Sequence, residues 1–191
     1  KDAIVRLGSG FCTGEVISSQ GLILTNHHCG YSAIQKLSTT TANHLKNGFW
    51  AKTKDEELSA GFSVSFLVKI VDITDDILAD VTDENRRKLV GEHSSSVRKE
   101  LSDSGAYAVD IKEMFSGNKY FAYVYKTFGD VRLVGTPPES VGKYGGDTDN
   151  WMWPRHTGDF SMFRVYASKD NKATEGYSED NIPYTPKHHL P

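Results

Sequence analysis

Leu22-Ile23-Leu24-Thr25-Asn26-His27-His28-Cys29 is the stretch on which the reading of this chain turns. Its first four residues are apolar or β-branched without interruption, the pattern of a short buried strand. The strand ends in a polar run that sets two imidazoles and a thiol side by side. Just upstream, Ser18-Ser19-Gln20-Gly21 supplies turn chemistry. Ahead of that turn, Gly14-Glu15-Val16-Ile17-Ser18 and Ala3-Ile4-Val5-Arg6-Leu7 read as two further strands, separated by the flexible Gly8-Ser9-Gly10. The first 30 residues therefore predict a β-hairpin inside a sandwich or barrel.

Beyond Cys29 the period changes. Tyr31–Leu37 suits a short helical turn, with Ile34 and Leu37 three apart, and Thr53-Lys54-Asp55-Glu56 has the form of a capping box ahead of another short helix. Residues 62–73 return to β character. Residues 82–102 predict an exposed, charged helix with Leu89, Val90, Val97 and Leu101 near one face. Three strand candidates follow at 109–115, 120–127 and 130–135, then a Pro137-Pro138 corner. The run from Gly142 to Pro154 is Gly-rich and polar yet holds Trp151 and Trp153, a poor place for core and a good one for a site. Residues 159–167 alternate as a strand, and 168–191 read as loop.

Composition narrows the class. An apolar fraction of 38% and a charged fraction of 25% are those of a globular chain. A net charge of −3 gives no pull toward nucleic acid or anionic membrane, and no apolar run approaches the roughly 20 residues of a membrane span. Lys1–Leu7 has no long apolar region of the signal-peptide kind, so the chain is expected to be a mature form or a trimmed fragment. Cys12 and Cys29 stand 17 positions apart. On neighbouring antiparallel strands they can reach the Cα spacing of a disulfide, about 4.4–6.8 Å. Two reduced thiols of a cytosolic protein fit the count equally well.

The His-His-Cys run resembles the strand end of trypsin-like proteases, where the catalytic His precedes a Cys bonded to an upstream partner. The resemblance favours a Cys12–Cys29 disulfide and puts His28 in the place of the general base. His27, facing the other side of the strand, is expected to be structural and bonded to backbone. Thr157-Gly158-Asp159-Phe160-Ser161-Met162-Phe163-Arg164 is similar to the strand carrying the triad Asp, which would orient the imidazole and stabilise its charged form. The order His then Asp agrees with the same proteases. The spacing does not: 131 positions separate His28 from Asp159, so the helical stretch between them reads as an insertion.

Taken together, Thr25-Asn26-His27-His28-Cys29-Gly30-Tyr31, Asp130-Val131-Arg132-Leu133-Val134-Gly135 and the run from Gly145 to Ser161 resemble the bacterial dipeptidyl-peptidase 7/11 family. The resemblance implies a mostly β fold with an α-helical insertion: an incomplete chymotrypsin-like β-barrel with part of a helical capping domain. On that expectation residues 1–73 and 107–191 belong to the catalytic barrel and 74–106 to the cap. It implies a serine exopeptidase that releases dipeptides from the free N-terminus of oligopeptides, periplasmic or secreted, dimeric, without cofactor or metal. Asn150 and Trp151 fall on the family's anchor for the substrate's α-amino group. Their chemistry suits that role, with a carbonyl acceptor and an aromatic face for an ammonium; Trp153 fits better as a packing residue under the loop. No Gly-x-Ser-Gly turn follows Asp159, and Ser9 precedes His28 in the wrong order. The nucleophile and oxyanion hole are therefore expected in further chain, and this piece alone should be inactive. Two other readings compete. A zinc hydrolase could use His27, His28, Cys29 and His44, but no His-x-x-x-His or Cys-x-x-Cys spacing appears. A protease-like module without catalysis would keep the fold alone.

Overall fold

The computed structural model describes residues 3–149 and 152–188. It is mostly antiparallel β with few helices and divides into two compact units, Lys1–Ser65 with Phe128–Pro191, and Phe66–Thr127.

In the larger unit, β1 (Ile4–Leu7), β2 (Cys12–Val16) and β3 (Leu22–Thr25) form a meander with short turns. The predicted second strand lies two residues earlier than its sequence suggested, taking in Cys12. Next come α1 (His27–Leu37), α2 (His44–Asn47), β4 (Phe49–Trp50) and β5 (Leu58–Ser59). The chain returns later with β9 (Val131–Thr136), the turns α5 (Glu139–Gly142) and α6 (Gly146–Asp149), β10 (Ser161–Ala167) and the two-residue β11 (Ile182–Pro183). The strand order is β4-β9-β10-β3-β2-β1, with β5 on β9 and β11 on β10; this path does not close on itself among the described residues. Side chains alternate as a pleated strand requires: Val5 and Leu7 on β1, Ile23 on β3 and Phe163 and Val165 on β10 point into one core with Val16, Ile34 and Leu133.

Two expectations change here. The box at Thr53 makes no side-chain cap, and the segment is a single 3-10 turn, Lys54–Glu56. The tail is not all loop, because β11 pairs with Tyr166 and Ala167.

Charge is buried in this unit only with partners. Arg132 donates from Nε and from one terminal nitrogen to the two carboxylate oxygens of fully buried Asp130, at 3.0 and 2.8 Å. Its guanidinium lies 3.7 Å from the Tyr166 ring centre and 4.5 Å from that of Tyr177. Arg164 pairs with Glu57, which also accepts from the Tyr166 hydroxyl at 2.9 Å. Burial first, and Glu57 second, push the Tyr166 phenol far above its ordinary value. These bonds tie β9 and β10 together with the tail and the 3-10 segment, and a bidentate Arg–carboxylate pair fixes direction as well as distance.

The smaller unit holds most of β6 (Val64–Asp72), α3 (Thr74–Leu78), α4 (Arg86–Leu101), β7 (Ala108–Met114) and all but the last residue of β8 (Lys119–Phe128), in sheet order β6-β8-β7. β7 and β8 are an antiparallel hairpin whose turn uses left-handed backbone at Phe115, Ser116 and Gly117. Its core is Ile73, Ile77, Tyr120 and Ala122, against which Val90, Val97 and Leu101 of the expected helical stripe pack. No residue of α4 is fully buried, as its charge pattern predicts.

Candidate active site

The register between β3 and β10 builds the site. These antiparallel strands pair Thr25 with Ser161 and Leu22 with Arg164. The chain leaving β3 therefore runs beside the chain entering β10, and His28 meets Asp159 across 131 positions of sequence. The His28 Nδ1 and Asp159 Oδ2 are 2.7 Å apart, and the His28 backbone N–H donates to Asp159 Oδ1 at 3.0 Å. The carboxylate thus grips both the ring and the backbone of one residue. Because a carboxylate only accepts, Nδ1 carries the proton. The His28 side chain is 56% exposed and Asp159 26%, so the pair lies at the surface.

Neither His27 nor His28 lies on a strand, contrary to the sequence reading. The helix begins at His27, four residues before the Tyr31 expected from periodicity. A helix N-terminus leaves its first N–H groups without intrahelical acceptors. Here Asp159 accepts one of them, from His28, and a carboxylate at that end also suits the helix dipole. Asn26 occupies the N-cap position without capping by its side chain. Its Nδ2 instead donates to the backbone carbonyl and to Oδ2 of Asp159, at 3.2 and 3.3 Å. The Asn26 carbonyl is held in turn by the Ser161 hydroxyl at 2.8 Å. Gly30 allows this approach, since a Cβ there would stand 2.7 Å from Ser161 Oγ and 3.0 Å from the Phe163 ring. Asn26 and Ser161 are site residues that the sequence reading missed. Both sit inside the motifs quoted for the site, but their partners lie on the other strand.

His27 is buried and His28 exposed, so the two imidazoles part as expected, though from a helical turn. His27 does not bond backbone. Its Nδ1 is 2.9 Å from the Thr136 hydroxyl oxygen, and its ring packs edge-on to Tyr31. Burial holds its pKa below the ordinary histidine value, against the opposing pull of Asp159 and Glu139.

Cys12 and Cys29 form a disulfide with a Cα separation of 6.0 Å, joining β2 to the first turn of α1 beside His28. Among the described residues, one group of three possible metal ligands converges: Cys12, His28 and Cys29. Both of its sulfurs are committed to the disulfide, so the set offers no thiolate. On the α1 side of His28 lies an open groove of about 480 Å³, lined by Phe11, the disulfide, Lys36, Gly61 and Phe62. Asn150 and Trp151, the candidate amine anchor, lie outside the described residues. Trp153 is not packed under a loop: it is 90% exposed.

Proteins similar to this chain carry the names of dipeptidyl-peptidases. An Asp/Glu-specific dipeptidyl-peptidase of Capnocytophaga gingivalis is 50% identical over 196 residues, covering 100% of this chain and 27% of its own length. Dipeptidyl-peptidase 7 of Porphyromonas gingivalis is 51% identical, covering 97% of this chain and 26% of itself. The crystal structure of Porphyromonas endodontalis DPP11 in complex with the dipeptide Arg-Asp superposes with a TM-score of 0.88 at 44% identity, over 99% of this chain and 28% of that one. The chain thus spans about a quarter of the length of these relatives. The Peptidase S46 profile matches residues 1–191, and the chain belongs to that family.

Proposed function

We propose that the full-length protein is a serine-type dipeptidyl-peptidase, to which these 191 residues contribute the base, its orienting carboxylate and the amine anchor. The observation that carries this is the double grip of Asp159 on His28, ring and backbone together. With Nδ1–H held by the carboxylate, Nε2 is the nitrogen that takes the proton of a serine hydroxyl supplied from further chain. The serine oxygen adds to the scissile carbonyl, His28 returns the proton to the leaving amine, and the acyl-enzyme remains. Water repeats the sequence in the second half-reaction, and Asp159 steadies the imidazolium in both. Asn150 and Trp151 hold the free α-amino group, so only two residues fit ahead of the scissile bond. The groove lined by Phe11 and Phe62 gives the departing peptide a path on the α1 side.

On this reading residues 1–73 and 107–191 are an incomplete barrel of chymotrypsin type and 74–106 part of the cap; what supports it is the antiparallel β1-β2-β3 meander joined to β10 and β9. The disulfide supports a periplasmic or secreted location. No helix among the described residues is long and apolar enough to cross a membrane.

The test is an assay of the full-length protein on fluorogenic dipeptidyl substrates. Dipeptide release that a serine-directed inhibitor stops and a chelator leaves untouched is the expected result. Loss of activity to the chelator would replace this reading with a zinc hydrolase, and no release on any substrate would replace it with a binding module. Asn150→Ala is expected to raise KM chiefly, by about tenfold or more for one lost charge-assisted hydrogen bond. Unaltered kinetics there would remove the exopeptidase anchor.

A further inference from the structure

We infer that His27 is a positioning residue, whose buried imidazole holds His28 and Asp159 in register by clamping the α5 turn. The inference rests on the proposed roles of His28 and Asp159 and goes beyond them. His27 is 1% exposed and joined to His28 by one peptide bond. The Thr136 hydroxyl oxygen lies 2.9 Å from His27 Nδ1 and 3.2 Å from the Pro137 carbonyl; in the proposed arrangement the hydroxyl donates to that carbonyl and accepts from a protonated Nδ1. The ring then lies flat against Gly142, the last residue of α5: a Cβ at that position would fall 2.4 Å from the ring's Cγ and 2.6 Å from Cδ2. Only a residue without a side chain lets the turn come this close.

The α5 turn in turn holds the entry to Asp159. The Gly158 N–H donates to the Val141 carbonyl at 2.9 Å, and the Thr157 hydroxyl to the Gly142 carbonyl at 3.4 Å. A closed circuit results. It runs from His28 to His27, through Thr136 and Gly142 to α5, on to residues 157–158, into Asp159, and back to His28 across the 2.7 Å contact. An apolar ring would fill the same space. What it would lack is the Nδ1–H that fixes the rotation of the ring against Thr136, and with it the seat of the α5 turn on His27.

The test uses the full-length protein with His27→Phe, His27→Asn and Thr136→Val. Phe keeps an aromatic ring in the cavity without the donor; Asn keeps a donor near the Nδ1 position. His27→Phe is expected to lower kcat about 10- to 100-fold, the effect of a misplaced catalytic group, with KM little changed. His27→Asn is expected to recover most of that kcat. Combined with Thr136→Val, His27→Phe should cost little more than it does alone, since both remove one interaction. A second readout needs no turnover: the downfield proton resonance of the His28 Nδ1–H should weaken in His27→Phe and return in His27→Asn. Unchanged kcat and an unchanged resonance in His27→Phe would overturn the inference. So would equal losses in Phe and Asn that follow a lowered melting temperature, since these report packing alone. If the parent protein releases no dipeptides, the peptidase reading fails, and the resonance still decides whether His27 sets the pair.

Discussion

The two units of this protein handle polar groups in opposite ways. In the larger, Asp130, Arg132 and Glu57 are buried, and all three are partnered by directional bonds, Arg132 by two aromatic faces as well. In the smaller, the charges of α4 stay at the surface and the core around Ile73, Ile77, Tyr120 and Ala122 is small. The difference teaches where geometric precision is kept. A buried bidentate pair tolerates little displacement, because moving either partner strands a desolvated charge. The strands so tied are β9 and β10, and β10 is the strand that Asp159 enters. The exposed helix has no such constraint.

The comparison is broken most severely at the site itself. In the full-length protein, His28→Ala or Asp159→Ala is expected to cut kcat/KM by about 10⁴-fold or more while leaving the melting temperature close to the parent's. Initial rates on a dipeptidyl substrate measure this, and a loss of less than tenfold would deny the pair its role. Next comes the buried network. Arg132→Met leaves Asp130 buried without its cation and should cost about 3–5 kcal/mol of stability, read from the denaturant midpoint. A change within about 0.5 kcal/mol would place the pair among surface ion pairs instead.

The smallest effect belongs to the smaller unit. Asp72 accepts from the Thr74 hydroxyl at 2.5 Å and its backbone N–H at 3.0 Å, and pairs with Lys119 at 3.2 Å. The Thr74 bonds first, and Lys119 after them, hold its carboxyl below the ordinary aspartate value of 3.8. A depressed carboxyl stabilises the folded state above its unfolded pKa, and that contribution fades as pH falls through the folded one. Acid below 3.8 should therefore loosen the start of α3, seen as faster amide exchange at residues 74–78, and Asp72→Asn should flatten that dependence. Exchange that is equally pH-dependent in the variant would assign the effect elsewhere.

Much of the β framework was legible from residue pattern. The strands at 22–25, 109–115, 120–127 and 130–135 and the helix over 82–102 all appear within a few residues of their expected limits. Short apolar runs bounded by Gly, Ser and Pro carry that information locally. The 3-10 turn after Thr53 was misread because a capping box signals only that an N-terminus is possible there, and Thr53 makes no cap. The exposed Trp153 was misread because aromatic residues are ordinarily buried, and nothing in a lone sequence marks the exception.

His27 and His28 divide the two kinds of knowledge. The sequence by itself determined that Leu22–Thr25 is a buried strand ending at the two histidines and that a second strand follows Asp159, which begins at Ser161; the Cys12–Cys29 bond, left open by the two cysteines alone, was favoured by the resemblance and is present. Only the tertiary structure decided that the two histidines begin a helix. It also decided that Asn26 and Ser161 hold the pair in place, and that Thr136 and Gly142 enclose His27. The physical reason is that the helix start is capped from outside: the acceptor for the His28 N–H is a carboxylate 131 residues away. No local window of residues contains both the orphan donor and its partner, so the strand register, and not the motif, settles where the helix begins.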